Sequence, residues 1–229
     1  MDKVKDRMKT TGQARTAVKS RGTRKGLTPL AHTLRSSEST PRITPLDLFA
    51  LARRKWLNGE RLDIGQLATE LGIGRATVFR WVGNRDLLHA EIISSLFTAS
   101  FEKARKQSRG VGADRIADVV DKLLNDLLAS KPLRSFLEYD PEYALRVLTS
   151  KSTPFQQRCT DAVRDALQDQ VNAGHIRPAM DLDALAYIVV RIGESFLYSD
   201  VISGRKPEID KARAAIRILL KAEPEARMI

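Results

Sequence analysis

From residue 44 onward, apolar side chains recur three and four positions apart, and no segment alternates convincingly with period two. That pattern predicts an all-α chain. Thr44-Pro45-Leu46-Asp47 combines an N-cap threonine, a proline at the first helical position and an acid at the third, which starts a helix. The helix runs through LDLFALARRKWLN to Asn58-Gly59, with Leu48, Leu51, Ala52 and Trp56 on its inner face. Asp63, with Gln66 three residues on, opens a short second helix that Gly72 ends, and GRATVFRWV, closed by Gly83-Asn84, forms the third. Three short helices joined by tight glycine turns make a helix-turn-helix head.

Beyond Asn84 the apolar positions Leu87, Leu88, Ile92, Leu96 and Phe101 predict a long connecting helix to about Lys106. A QSRGVG linker follows, and then an amphipathic helix from Asp114 to Ser130. Pro132 and Asp140-Pro141 frame two shorter pieces. Thr153-Pro154 repeats the cap-plus-proline signature and starts a helix to Asn172. Asp181 starts another, which runs through LDALAYIVVRIGESFLYSD as one piece, and Pro207-Glu208 begins the last, through Leu220.

Composition adds the location of the charge. Of 229 residues 42% are hydrophobic, enough for a sizeable core, and the net charge is +11. Residues 1–42 hold 11 Lys and Arg against 3 Asp and Glu, residues 43–85 hold 7 against 4, and residues 86–229 hold 21 of each. A basic N-terminal end on a neutral body is the charge footprint of a polyanion-binding head whose body has another task. Residues 1–41 are short of large apolar side chains, so they read as a disordered basic tail. No run free of Asp, Glu, Lys and Arg exceeds ten residues, whereas a membrane span needs roughly 20 apolar ones. No signal-peptide core follows the basic start, and the single cysteine, Cys159, has no intrachain partner. A cytoplasmic protein without membrane partners is the expectation.

At Leu71-Gly72-Ile73-Gly74-Arg75-Ala76-Thr77-Val78-Phe79-Arg80-Trp81-Val82-Gly83-Asn84-Arg85-Asp86-Leu87-Leu88 the sequence resembles the DNA-binding signature of the TetR family of transcriptional regulators. That signature reads approximately L-G-V-S-x-x-T-L-Y-x-H/Y-F-x-N/S-K-x-x-L. The resemblance covers residues 43 to about 90, and the upstream Gly59 and Leu67-Ala68 agree with it. Phe79 stands in place of the usual Tyr and lacks its hydroxyl, Trp81 replaces His or Tyr, and Arg85 replaces Lys.

The resemblance implies a recognition helix that lies in the major groove and presents its N-terminal residues to base edges. Arg75 and Arg80 are the side chains best able to read guanine in bidentate fashion. Thr77 is a candidate phosphate donor. By family resemblance so is Thr44, with Arg85, Arg53 and Arg54 as phosphate neighbours. Ala76, Phe79 and Trp81 complete the candidate DNA face, Trp81 more as packing than as readout. The implied organisation is a tail over residues 1–41, a DNA-binding domain over 42–88, an effector-binding and dimerisation domain over 89–221 and a C-terminal tail over 222–229.

Family members bind DNA as homodimers through their last two helices, which points here to residues 182–200 and 208–220. Ile209, Ala212, Ala215, Ile216 and Leu219 form one apolar stripe, and Leu185, Ile188, Val189, Ile192 and Phe196 another. Each could equally be buried inside one chain. A two-fold dimer places its recognition helices roughly 34–36 Å apart, so the operator should be near-palindromic.

The family also encloses an apolar effector cavity between head and dimer interface. Candidate walls here are Phe97, Phe101, Phe136, Tyr139, Tyr143, Phe155 and Cys159. Arg191 and Glu194, three apart in an apolar helix, are either a structural ion pair or a polar anchor for a ligand. The runs RITPLDLFALARRKWLNGERLDIGQLATELGIGRATVFRWVGNRDLL and RIGESFLYSDVISGRKPEID also resemble an actinobacterial subgroup of quorum-signal-degradation regulators. That subgroup implies a lactone or similar amphipathic effector.

An enzyme is the rival from another class. His32, His89 and His175 are the only histidines, and none has an acid or Cys at metal-ligand or triad spacing. No P-loop or dinucleotide glycine motif is present, and no cofactor or metal is expected. An architectural DNA-organising protein of the same fold, without a ligand, is the second rival. The reading adopted is a ligand-responsive homodimeric repressor.

Overall fold

The computed structural model describes residues 43–221, which form eleven α-helices and, among the described residues, no strand. The expected tails over 1–41 and 222–229 lie outside the described residues.

The head is built from its caps. Helix α1 (Pro45–Leu57) opens on a complete capping box: the Thr44 hydroxyl accepts from the Asp47 N–H, and the Asp47 carboxylate accepts from the Thr44 N–H at 2.8 Å. Helix α2 (Ile64–Glu70) starts where Asp63 Oδ1 accepts from the Gln66 N–H at 2.8 Å. Helix α3 (Arg75–Val82) follows a turn through Gly72, whose φ of 65° lies in the left-handed region that favours glycine. Leu48, Leu51, Ala52 and Trp56 of α1 are buried with Leu67 of α2 and Val78 of α3. These are the inner positions that the helical periodicity predicts for α1.

Helix α4 (Arg85–Gln107) is capped by Asn84, whose Oδ1 accepts from the Leu87 N–H at 2.8 Å. Its 23 residues reach about 35 Å at 1.5 Å per residue. It joins the head to the remaining helices: α5 (Gly112–Leu128), α6 (Lys131–Tyr139), α7 (Pro141–Thr149), α8 (Phe155–Asn172), α9 (Leu182–Leu197), α10 (Ser199–Ser203) and α11 (Ile209–Lys221). Helix α4 packs on α5, α7 and α8. Helix α9 packs on α8, and α11 covers α5 and α9.

Three departures from the sequence reading have local causes. Helix α5 begins at Gly112 rather than Asp114, because the Gly112 N–H donates to Gln170 Oε1 at 2.8 Å. Only glycine serves there: a Cβ would come within 2.7 Å of the His175 carbonyl oxygen. Pro154 rather than Thr153 stands at the cap position of α8, while the Thr153 hydroxyl donates to the Val147 carbonyl at 2.8 Å and accepts from the first helical N–H, of Phe155, at 3.4 Å. The stretch 181–200 is not one helix: the chain bends at Tyr198 and resumes as the single turn α10.

Candidate DNA-binding face and internal cavities

Helix α3 divides its residues between two faces. Val78 is fully buried and anchors it to the head, while Arg75, Ala76, Phe79 and Arg80, spaced to share one side of a helix, are all exposed. Phe79 retains 41% of its surface, a large apolar ring turned outward among arginines. Thr77 and Trp81 are half-buried at the edges of this face. Seven of the eight expected DNA contacts fall on α3 or at the start of α1.

The hydroxyl of Thr44 is already engaged, accepting from the Asp47 N–H and donating to Asp47 Oδ2 at 2.7 Å. The bond from this hydroxyl, with that from the Thr44 N–H, holds the Asp47 carboxyl below its usual range. A phosphate would compete with Asp47 for this donor. Among the other basic residues of α1, Lys55 pairs with Glu60 and Glu70, Arg53 donates from Nε to Ser95 at 3.3 Å, and Arg54 is exposed.

Arg85 is placed differently. It is half-buried, its guanidinium lies over the Tyr143 ring at 4.6 Å, and its Nε has no hydrogen-bond partner among the described residues. The side chain is thus turned toward α7 rather than onto the outward face of α3.

The expected effector walls separate into two groups. Phe97, Phe155, Cys159 and Glu194 line a cavity of about 50 Å³ beneath α9, which Val189, Gly193 and Leu197 roof. Phe101 stacks on Phe97 at 5.6 Å and supports this wall from behind. The cavity carries one acid. Glu194, 9% exposed, accepts from Arg191 Nη1 at 2.7 Å and from Gln156 Nε2, which also donates to the Leu148 carbonyl at 2.7 Å. Arg191 therefore pairs with Glu194 from outside the cavity. Burial pushes the Glu194 carboxyl up, and its bonds to Gln156 and Arg191 only partly offset that. Burial also raises the Cys159 thiol, which is the opposite of an activated nucleophile.

Phe136, Tyr139 and Tyr143 belong to a second cavity of about 140 Å³, where the α1–α2 turn and the start of α4 meet α6 and α7. His89, 2% exposed, is at its floor. Its ring stacks on Phe136 at 5.1 Å, and burial lowers its pKa from 6.5 to about 4. Sequence reasoning passed over His89 because its neighbour Tyr143 is 54 positions away, beyond any local spacing. Gln156, 38 positions from Glu194, is missed for the same reason, whereas Tyr198, one helical turn from Glu194, was within reach of local spacing.

Among the described residues, no three His, Cys, Asp or Glu side chains gather as metal ligands, and no helix is long and apolar enough to cross a membrane.

Comparison with known proteins agrees with this architecture. Residues 111–221 match a family described as the tetracyclin repressor-like C-terminal domain. The transcriptional repressor QsdR from the TetR family of R. erythropolis superposes with a TM-score of 0.73 at 29% identity, covering 80% of this chain and 97% of that one. The TetR family repressor AlkX from Dietzia sp. strain DQ12-45-1b, implicated in biodegradation of n-alkanes, superposes with a TM-score of 0.55 at 19% identity, covering 78% of this chain and 95% of that one. This second likeness is one of fold. No curated protein matches.

Proposed function

We propose that the chain is a TetR-family transcriptional regulator, a homodimeric repressor released from a near-palindromic operator by a small amphipathic effector. The observation that carries this reading is the double character of α4. It meets the head where Ser95 accepts from Arg53 Nε at 3.3 Å, and two residues on it contributes Phe97 to the cavity beneath α9. A cavity of about 50 Å³ is far below the roughly 300–1,000 Å³ of ordinary ligand sites. An acyl or lactone effector must therefore push its walls apart, and Phe97 transmits that displacement along a stiff helix to the head.

In this reading Arg75 and Arg80 read base edges, Thr44, Thr77 and Trp81 help seat the backbone, and Ala76 and Phe79 lie against the groove. Arg85, turned toward Tyr143, contributes to the junction. The +8 balance of residues 1–42 adds nonspecific phosphate attraction. The dimer forms through the outer faces of α9 and α11, the protein acts in the cytoplasm, and it has no catalytic task. Likeness to QsdR, a transcriptional repressor, supports repression, and the apolar walls with one buried acid support an acyl chain carrying a polar head.

The small volume of the cavity favours one alternative, a DNA-organising protein of the same fold without a ligand. Fluorescence anisotropy on the upstream intergenic DNA against scrambled DNA, repeated with lactones and fatty-acyl compounds, separates the two. Selective binding released by one compound supports the sensor, and selective binding that no compound alters supports the alternative. Equal weak binding to both DNAs would overturn both readings.

A further inference from the structure

Beyond the core cavity, the junction between head and body has the features of a second site, and its chemistry differs. Its walls are aromatic: Trp56 and Phe136 meet edge to face at 6.1 Å, and Phe136 and Tyr143 at 5.9 Å. Its volume, about 140 Å³, is close to the roughly 150 Å³ that holds a single benzene ring in a protein interior.

Its unpaired charge is positive. Arg61, at the rim, donates to the Tyr139 hydroxyl at 2.9 Å and has no carboxylate partner among the described residues. Arg85 is half-buried, has no carboxylate partner among the described residues, and leaves its fully buried Nε without an acceptor among them. The acids nearby have partners of their own, Asp86 while also lying beside the Tyr143 hydroxyl. Glu60 pairs with Lys55 at 3.1 Å, Asp86 pairs with Arg146 at 3.3 Å, and Asp140 caps α7 through the Tyr143 N–H at 3.1 Å. Guanidinium forks match the planar, two-oxygen geometry of a carboxylate better than any other common anion except phosphate. A phosphate fills neither the volume nor the aromatic walls.

We propose that the junction cavity binds a one-ring aromatic carboxylate, its ring against Trp56, Phe136 and Tyr143 and its carboxylate on Arg85 and Arg61. Such a ligand touches the α1–α2 turn on one side and α6 and α7 on the other, so it ties the head to the body directly. This site is independent of what occupies the core cavity, and it stands or falls by its own test.

Trp56 is the reporter. The full chain carries only one other tryptophan, Trp81, so Trp81→Phe leaves Trp56 as the sole emitter. Titration with benzoate should change its emission saturably, while benzamide, which keeps the ring, and acetate, which keeps the anion, should each bind at least tenfold more weakly. Arg85→Gln should lower benzoate affinity at least tenfold. Arg61→Gln, at an exposed position, should lower it severalfold.

No saturable change with benzoate overturns the proposal, as does equal affinity for benzamide or full affinity in both arginine variants. Cys159→Phe, which fills the core cavity, should leave benzoate binding intact. Loss of binding in that variant alone would move the ring beneath α9 and overturn the junction site.

Discussion

His89 Nδ1 lies 3.0 Å from the Tyr143 hydroxyl and 2.9 Å from the Arg85 carbonyl oxygen. The carbonyl can only accept, so this geometry suits a neutral ring with its proton on Nδ1, donated to Arg85; a bare Nδ1 would face the carbonyl's own lone pairs. The charged ring is disfavoured mainly by burial, which brings its pKa down from 6.5 to about 4. A base with a depressed folded pKa contributes fully above its unfolded value. As pH falls below 6.5, the unfolded chain takes up the proton first, and stability is lost down to about pH 4. Linkage puts the loss at about 2 kcal/mol by pH 5. His89→Phe, whose ring can keep stacking on Phe136, should be less stable at pH 7 but should lose correspondingly less between pH 7 and pH 5. Urea unfolding at both values checks this, and equal losses in parent and variant would contradict it.

Arg75 and Arg80 lie on the exposed face of α3 with no intramolecular carboxylate partner among the described residues. Replacing either with alanine should therefore leave folding within about 0.5 kcal/mol. Each should cost roughly 1–3 kcal/mol of operator affinity and relax discrimination at one base position. Anisotropy on operator and scrambled DNA distinguishes base reading from phosphate contact. Equal losses on both would assign the side chain to the phosphates.

The head was legible in the sequence because its signals are local. A capping box needs Thr44 and Asp47 three residues apart, a helix stop needs Gly72 or Gly83, and an inner face needs Leu48, Ala52 and Trp56 at helical spacing. The sites in the body are made by contacts that spacing does not encode. Phe97 and Phe136 are both aromatic residues in the body, yet one faces the cavity beneath α9 and the other the head junction, and only the packing of α4 against α6 and α8 decides which. The α11 stripe shows the same limit. Ile209, Ala212 and Ile216 face α5 and α9 within one chain, while Ala215 and Leu219 are only partly covered.

That division of α11 locates the residues to test for dimerisation. Ile218 keeps 73% of its surface and Tyr187 of α9 keeps 54%, a degree of apolar exposure on two neighbouring helices that a partner would cover. Ile218→Glu should leave the single chain folded, since the side chain touches little within it. Combined with Tyr187→Glu, it should place two acids in each half of the interface and convert a micromolar solution from dimer to monomer. Light scattering on a sizing column reads the mass, and a dimer that survives both changes would exclude this face.

Glu194 offers a test in which the sign of the pH effect carries the information. Burial raises its folded pKa, and Gln156 and Arg191 hold that rise in check. Arg191→Met removes one donor and should raise it further. An acid with a raised folded pKa is at no disadvantage below its unfolded value, and stability declines as pH rises through the folded value. The variant should therefore match the parent near pH 4 and fall below it by about 1–2 kcal/mol at pH 8, a range reduced because the Arg191 side chain is 43% exposed. Thermal unfolding across that range measures the difference. A deficit that is the same at pH 4 and pH 8 would mean that Arg191 acts through its aliphatic packing and not through the charge of Glu194. The same profile with an acyl lactone present asks whether the effector's polar head meets this acid: a ligand that donates to Glu194 should restore most of the deficit at pH 8 and none at pH 4.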